Sequence, residues 1–313
     1  MKNRNDRLMR IKYVVDNSDN VKINENKISD YVAILKATEN NNYWLNKYKN
    51  DFSEKQLILL VFIIKSINFC FWKKPYIEKD FNGHHYNRST AMIYSLLDKS
   101  ITDKSFLDID NLINLTKKSL IDILGGDNDL PLIDERYNNI RETINIIYNK
   151  GDEFFDELFS IKSCAGLLEY IVNNFPNFRD ISNYKNQKIY FYKRANLLVR
   201  DLFEVSFMIK NNIKSIDDLL GCADYVIPKI FRYYGLIEYS DELANIIDNE
   251  DLILHDSNFE IEIRANMLYA IELIKAELEN NEVKTNSILL DNFIWVTGRN
   301  IEGKHHLTET IFY

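Results

Sequence analysis

An all-α fold is what this chain predicts, from three observations. Apolar residues make up 46% of its 313 positions and recur mostly at three- and four-residue steps. Only 9 glycines and 4 prolines punctuate that length, too few for a doubly wound sheet or a sandwich with many turns. Ser, Gly and Pro stand where helices would begin and end. With no repeat, low-complexity linker or charge block, residues 1–313 read as one domain, divided into two helical lobes near residue 180.

Along the chain, residues 1–50 are rich in Asn, Lys and Asp, and a short helical or extended lead-in is expected at "ISDYVAILKAT". "MKNRNDRLMRIKYVV" lacks the apolar stretch of a signal peptide. From Ser53, an N-cap, a central helix is expected to run to Trp72. Its run "LILLVFIIKSINFCFW", broken by Lys65 and Asn68, is too short to span a bilayer. Gly83 marks a turn, "TAMIYSLLDK" a helix, and "SFLDIDNLINLTKKSLIDILGG" another closed by Gly125 and Gly126. Pro131 opens and Gly151 ends the next; "DEFFDELFS" and "SCAGLLEYIVNNF" supply two more, the second stopping before Pro176. "QKIYFY" is strand-like or a lead-in to the helix after it.

Charge and rare residues narrow the function. A net charge of −8 leaves no broad basic surface for a nucleic-acid backbone, so a long nucleic acid is not the expected partner. Cys70, Cys164 and Cys222 sit in apolar surroundings at no metal-ligand spacing, as buried thiols in a reducing cytoplasm do. The five histidines include two adjacent pairs, which point apart on a helix or strand, so no metal site is expected. No Ser or Cys stands in a nucleophile elbow, and no organic cofactor is called for.

The chemistry concentrates in "FYKRANLLVRDLFE" (191–204) and "CADYVIPK" (222–229). Leu197, Leu198, Leu202 and Val205 form a buried stripe on which Asp201 also falls. Lys193 lies ~12 Å further back along the same helix, so the two are not a simple ion pair and each needs another partner. Asp201 either satisfies backbone groups or faces a polar ligand, whereas Arg200 and Glu204 read as a solvated pair. Pro228 opens or tightens the first turn of a helix ended by Gly235, placing Asp224 at its N-terminus. There it is either a plain N-cap or a carboxylate that free N–H groups keep ionised to face positive charge.

"INFCFW", "FPNFRD", "FYKRANLLVRDLF", "CADYVIPK", "GLIEYSDEL", "EIEIRA", "NSILLDNFIW" and a closing "HHLTETIFY", in this order, resemble the queuosine salvage family from about residue 55 to Tyr313. The resemblance implies a largely helical fold similar to helix-hairpin-helix DNA glycosylases, and hydrolysis of the N-glycosidic bond of queuosine 5′-monophosphate to release queuine. It assigns catalytic expectation to Asp224 and Lys193, with Asp201 orienting them or reading the base. The types suit the reaction. A carboxylate stabilises or traps the oxocarbenium-like state at C1′, and a donor must disperse charge on a 7-deazaguanine that has no N7 to protonate. For substrate binding the candidates are Asn68, Phe71 and Trp72, Phe178, Arg179 and Asp180, Tyr225, Arg264 and His306. An aromatic helix end is also ordinary core, and Glu260, Glu262 and Arg264 also read as a structural ion-pair knot.

Two departures stand out: "YNRSTAM" replaces a Gly-Tyr-Trp-Ser-like stretch of the family, and the closing segment keeps His306 but lacks two arginines expected to bear on phosphate recognition. The alternatives are a non-catalytic binder of queuine or a related 7-deazapurine nucleotide, and a glycosylase acting on DNA or RNA, which the charge opposes.

Overall fold

Two hydrophobic cores organise the chain, and helices build both. The computed structural model describes residues 3–35, 44–126, 129–208 and 212–313. The N-terminal segment contributes helix α1 (Arg4–Asp16), strand β1 (Val21–Ile23) and helix α2 (Ile28–Leu35); the end of the expected lead-in, Lys36 to Thr38, lies outside the described residues. Helix α3 (Glu54–Ser66) begins where expected, because Ser53 and Gln56 form a reciprocal capping box. A hairpin, β2 (Glu78–Phe81) and β3 (His84–Asn87), turns at Gly83, whose φ of +77° suits glycine, and leads into α4 (Arg88–Thr102).

The stretch expected as one helix before Gly125 is two, α5 (Ile109–Leu112) and α6 (Lys117–Leu124), because Thr116 caps a new start by accepting the Ser119 N–H. Then follow α7 (Ile133–Lys150), α8 (Asp152–Ser160) and α9 (Cys164–Asn174). "QKIYFY" is both things expected of it. Gln187–Tyr190 is β5, paired antiparallel with β4 (Ile181–Tyr184), and it runs directly into α10 (Lys193–Met208). The last part comprises α11 (Val226–Tyr233), β6 (Ile237–Tyr239), α12 (Asp241–Asp248), α13 (Asn258–Asn280) and α14 (Ser287–Gly298). Strands pair only two by two among the described residues, and β1 with β6 ties the N-terminal segment to the C-terminal helices.

One core gathers α3, α4, α6 to α9 and one face of α10. The other gathers α1, α2, β5 and α11 to α14. Helix α3 is buried on every side, from Leu57 to Ser66, as its apolar sequence requires. It does not reach Trp72. Its C-terminal carbonyls are taken by buried side chains instead of a further turn: Arg194 donates to Lys65 O and Ser66 O, Asn139 to Ser66 O, and Arg136 to Ile67 O, Phe69 O and Cys70 O. Residues 67–72 are therefore an irregular strap held by two arginines. No described helix is long and apolar enough to cross a membrane.

Candidate active site

A cavity of about 370 Å³ is lined by elements that contribute to both cores, a size within the range of small-ligand sites (about 300–1,000 Å³). Its floor is α10, which presents Lys193, Leu197, Arg200 and Glu204 at steps of three and four. The strap supplies Asn68 and Phe71, the first two turns of α4 supply Ser89, Thr90, Ile93 and Tyr94, and the segment before α11 supplies Cys222, Asp224 and Tyr225. Helix α14 closes it with Asp291, Asn292, Phe293 and Trp295, and Arg299 follows at its C-terminal end.

Asp224 stands where the sequence places it. Its Oδ1 accepts the N–H groups of Val226 (2.9 Å) and Ile227 (3.2 Å), capping α11. The cap does not lower its pKa as expected. Burial raises the Asp224 carboxyl above the ordinary range, outweighing Lys193 and the two N–H groups. Lys193 is 7% exposed, and its ammonium makes no hydrogen bond among the described residues. Burial lowers its pKa, and Asp224 is the strongest opposing charge.

Asp201 is wholly buried, but it does not line the cavity. It pairs with Lys65 (2.8 Å) and Arg200 (2.8 Å), two cations that do line it. Burial pushes its carboxyl up, yet those two charges prevail and hold it below the ordinary value. Asp201 therefore satisfies side chains rather than backbone, fixing two side chains of the cavity wall. Arg200 and Glu204 are not a surface pair: Arg200 turns inward, donating also to Asn292 Oδ1 at 2.9 Å, and both line the cavity.

Asn68, Phe71 and Tyr225 line the cavity, and six other expected substrate contacts do not. Trp72 donates its indole N–H to Thr308 O (3.2 Å). Phe178 is core beneath the Arg194 guanidinium, and Arg179 caps the end of α9 through Val172 O and Asn173 O. His306 is buried against the Tyr313 hydroxyl, and burial takes it down to about 3.

Asp180 and Arg264 form the knot that was the second reading of "EIEIRA". The Arg264 guanidinium lies between the rings of Phe191 and Tyr313 and pairs with Asp180 (2.5 Å) and Glu260 (3.1 Å). Asp180 also accepts the backbone N–H of Lys193 (3.1 Å), and Arg264 donates to Ala223 O (3.3 Å). The knot thus clamps the backbone at Lys193 and beside Asp224 without touching the cavity. Glu262 is apart from it, accepting from the Tyr184 hydroxyl and the Asn20 N–H.

Asp291, Trp295 and Phe293 were missed by the sequence reading. Asp291 is 5% exposed and accepts the Cys222 N–H at 2.9 Å. It interrupts the apolar helix "SILLDNFIWVTG" as Asp201 interrupts its stripe, so the same signal was available. Among the described residues no cluster of His, Cys, Asp and Glu is placed to hold a metal ion.

Residues 47–313 match the family model described as queuosine salvage protein. The chain belongs to that family. Similar members include the queuosine 5′-phosphate N-glycosylase/hydrolase of Sphaerobacter thermophilus, 28% identical over 81% of this chain and 80% of its own. Those of Mus musculus (31%, covering 81% of each chain) and Schizosaccharomyces pombe (26%, covering 94% and 91%) carry the same description. The family match takes in every cavity-lining residue.

Proposed function

We propose that this chain is a queuosine 5′-phosphate N-glycosylase/hydrolase, adding water across the bond between C1′ and the base to release queuine. The relatives' shared description supports it. The observation that carries it is the meeting, on one small-ligand cavity, of two buried carboxylates and an ammonium with no hydrogen-bonded partner among the described residues. In this reading Asp224, the carboxylate nearest in effect to Lys193, faces the positive charge that develops at C1′. Lys193 opposes the burial that raises the Asp224 carboxyl, favouring its charged form, and disperses charge on the departing base. Phe71, Tyr225 and Trp295 offer aromatic faces to that base, and Asn68 a polar edge. Asp201 acts through Lys65 and Arg200.

An arrangement like that of helix-hairpin-helix DNA glycosylases is part of the same proposal, supported by a helical chain with its cavity between two cores. So is a cytoplasmic location, which the three buried thiols favour. Incubation with queuosine and with its 5′-monophosphate, followed by chromatography for queuine, tests the function. Release of the base from the monophosphate is expected; tight binding without release would make the protein a nucleotide binder.

A further inference from the structure

We propose that Asp291 supplies the proton that the departing base takes up, resting on the hydrolase reading above. Its two oxygens are in different settings. Oδ1 accepts the Cys222 N–H, and a Cβ on Gly221 would come within 3.1 Å of it, so that side is closed. No hydrogen bond from the described residues reaches Oδ2, on a side chain that lines the cavity.

The charges around Asp291 favour its neutral form. It is buried, and Asp224 faces it from the segment before α11; together they push its carboxyl well above the ordinary range, against the Cys222 N–H and the cations Arg200 and Lys193 of α10. The Cys222 thiol beside it is itself pushed well up by burial, so it stays neutral. Two carboxylates sharing one pocket do not both ionise readily, and the pair divides its roles: Asp224 charged beside Lys193, Asp291 protonated. Lys193 is poorly suited to give the proton, because its loss would leave Asp224 buried without its main counter-charge.

As the C1′–N9 bond breaks, its electron pair goes to the base, the Asp291 O–H bond breaks, and the proton passes to a ring nitrogen of the base, which leaves neutral. Asp291 is now a carboxylate. Water adds at C1′ and gives its proton to Asp291, restoring the acid, so the sum is substrate plus water giving queuine and ribose 5-phosphate.

The test compares leaving groups. Asp291→Asn keeps an acceptor for Cys222 but no acidic proton, and its turnover of queuosine 5′-phosphate should fall about 100-fold or more with KM within about threefold. Wild-type kcat should decline as pH rises through the Asp291 ionisation, and that limb should vanish in the variant. On 4-nitrophenyl β-ribofuranoside 5-phosphate, whose leaving group needs no proton, the variant should match the wild type within about threefold, whereas a loss equal to that on the nucleotide marks a structural role and overturns the proposal. A variant that keeps nucleotide turnover and the alkaline limb, or a limb that disappears instead in Glu204→Gln, overturns it as well. A wild type that releases no queuine defeats the hydrolase reading itself, a result distinct from an active wild type with an active Asp291→Asn.

Discussion

The Arg264 knot and the Lys193–Asp224–Asp291 group hold the same kinds of side chain at nearly the same depth, and their charges are managed in opposite ways. Asp180, Glu260 and Arg264 are at most 1% exposed; Lys193, Asp224 and Asp291 are at most 8% exposed. In the knot every ion touches its counter-ion, and burial loses: the Glu260 carboxyl is held down to about 2 by Arg264 and His255, although desolvation pulls it up. In the cavity burial wins, raising both carboxyls and lowering the lysine. Depth alone therefore does not distinguish a structural ion from a reactive one. The presence of a touching partner does.

Removing the knot's cation should give the largest effect. Arg264→Met strands Asp180 and Glu260 in the interior, a loss expected to cost about 3–5 kcal/mol of folding stability, measurable as a lower urea midpoint. It also carries a pH signature. Glu260 titrates near its ordinary value when unfolded and near about 2 when folded, so its stabilisation is complete above the ordinary value and disappears as pH falls toward about 2. The variant should lose that acid dependence. A stable Arg264→Met protein would mean that the knot is not what anchors the backbone at Lys193 and Ala223.

The opposite pattern is expected from Asp224→Asn. Asparagine keeps the shape and an oxygen for the Val226 and Ile227 N–H groups, so melting temperature should hold or rise slightly once a buried carboxylate is gone. Queuine release should fall by about 100- to 1,000-fold, the loss typical of one charge-stabilising group at a transition state. If the variant instead unfolds easily and still turns over, the two clusters do not differ in kind.

How far the sequence reveals this contrast depends on the distance over which each signal acts. Local chemistry was legible: the Ser53 cap, the left-handed Gly125 and Gly151 positions, and Asp224 at the start of α11 follow from neighbours in the chain. Helix α1 was not, because its buried stripe is only Arg7, Ile11 and Val14, with an arginine donating to Tyr190 O and Phe191 O where an apolar residue is expected. Nor were β2 and β3. "EKDF" and "HHYN" have no apolar alternation, and their order comes from rings packed against Tyr94, Phe81 stacked at 5.0 Å and Tyr86 tilted at 4.4 Å. Within the site, Lys193 on α10 and Asp224 and Tyr225 before α11 lie on the cavity, whereas Asp201, also on α10, is held behind it by Lys65 and Arg200. Asp180 and Arg264 do not lie on the cavity, since the ion pair that draws them inward joins residues 84 apart in sequence, and His306 does not because it is buried against the Tyr313 hydroxyl.

The smallest expected effect probes the seam between the cavity and its support. Gly221 has no positive φ to require glycine; the constraint is space. A Cβ there would meet Ile271 Cδ1 at 3.0 Å, Asp291 Oδ1 at 3.1 Å and Leu268 Cδ2 at 3.3 Å. Two of these are flexible ends of aliphatic side chains, which can give by a few tenths of an ångström. Against that strain, alanine restricts the unfolded chain, a gain of about 0.4–1 kcal/mol. The net change in stability for Gly221→Ala should therefore stay within about 1 kcal/mol. Asp291 has less freedom, being tied to the Cys222 N–H next door, so its carboxyl must move with the segment that carries Asp224. Turnover should drop about 3- to 10-fold from a displacement well under 1 Å. Activity lost without stability lost is the mark of the cavity group. Equal small losses in both would place Gly221 and the near side of Asp291 with the scaffold instead.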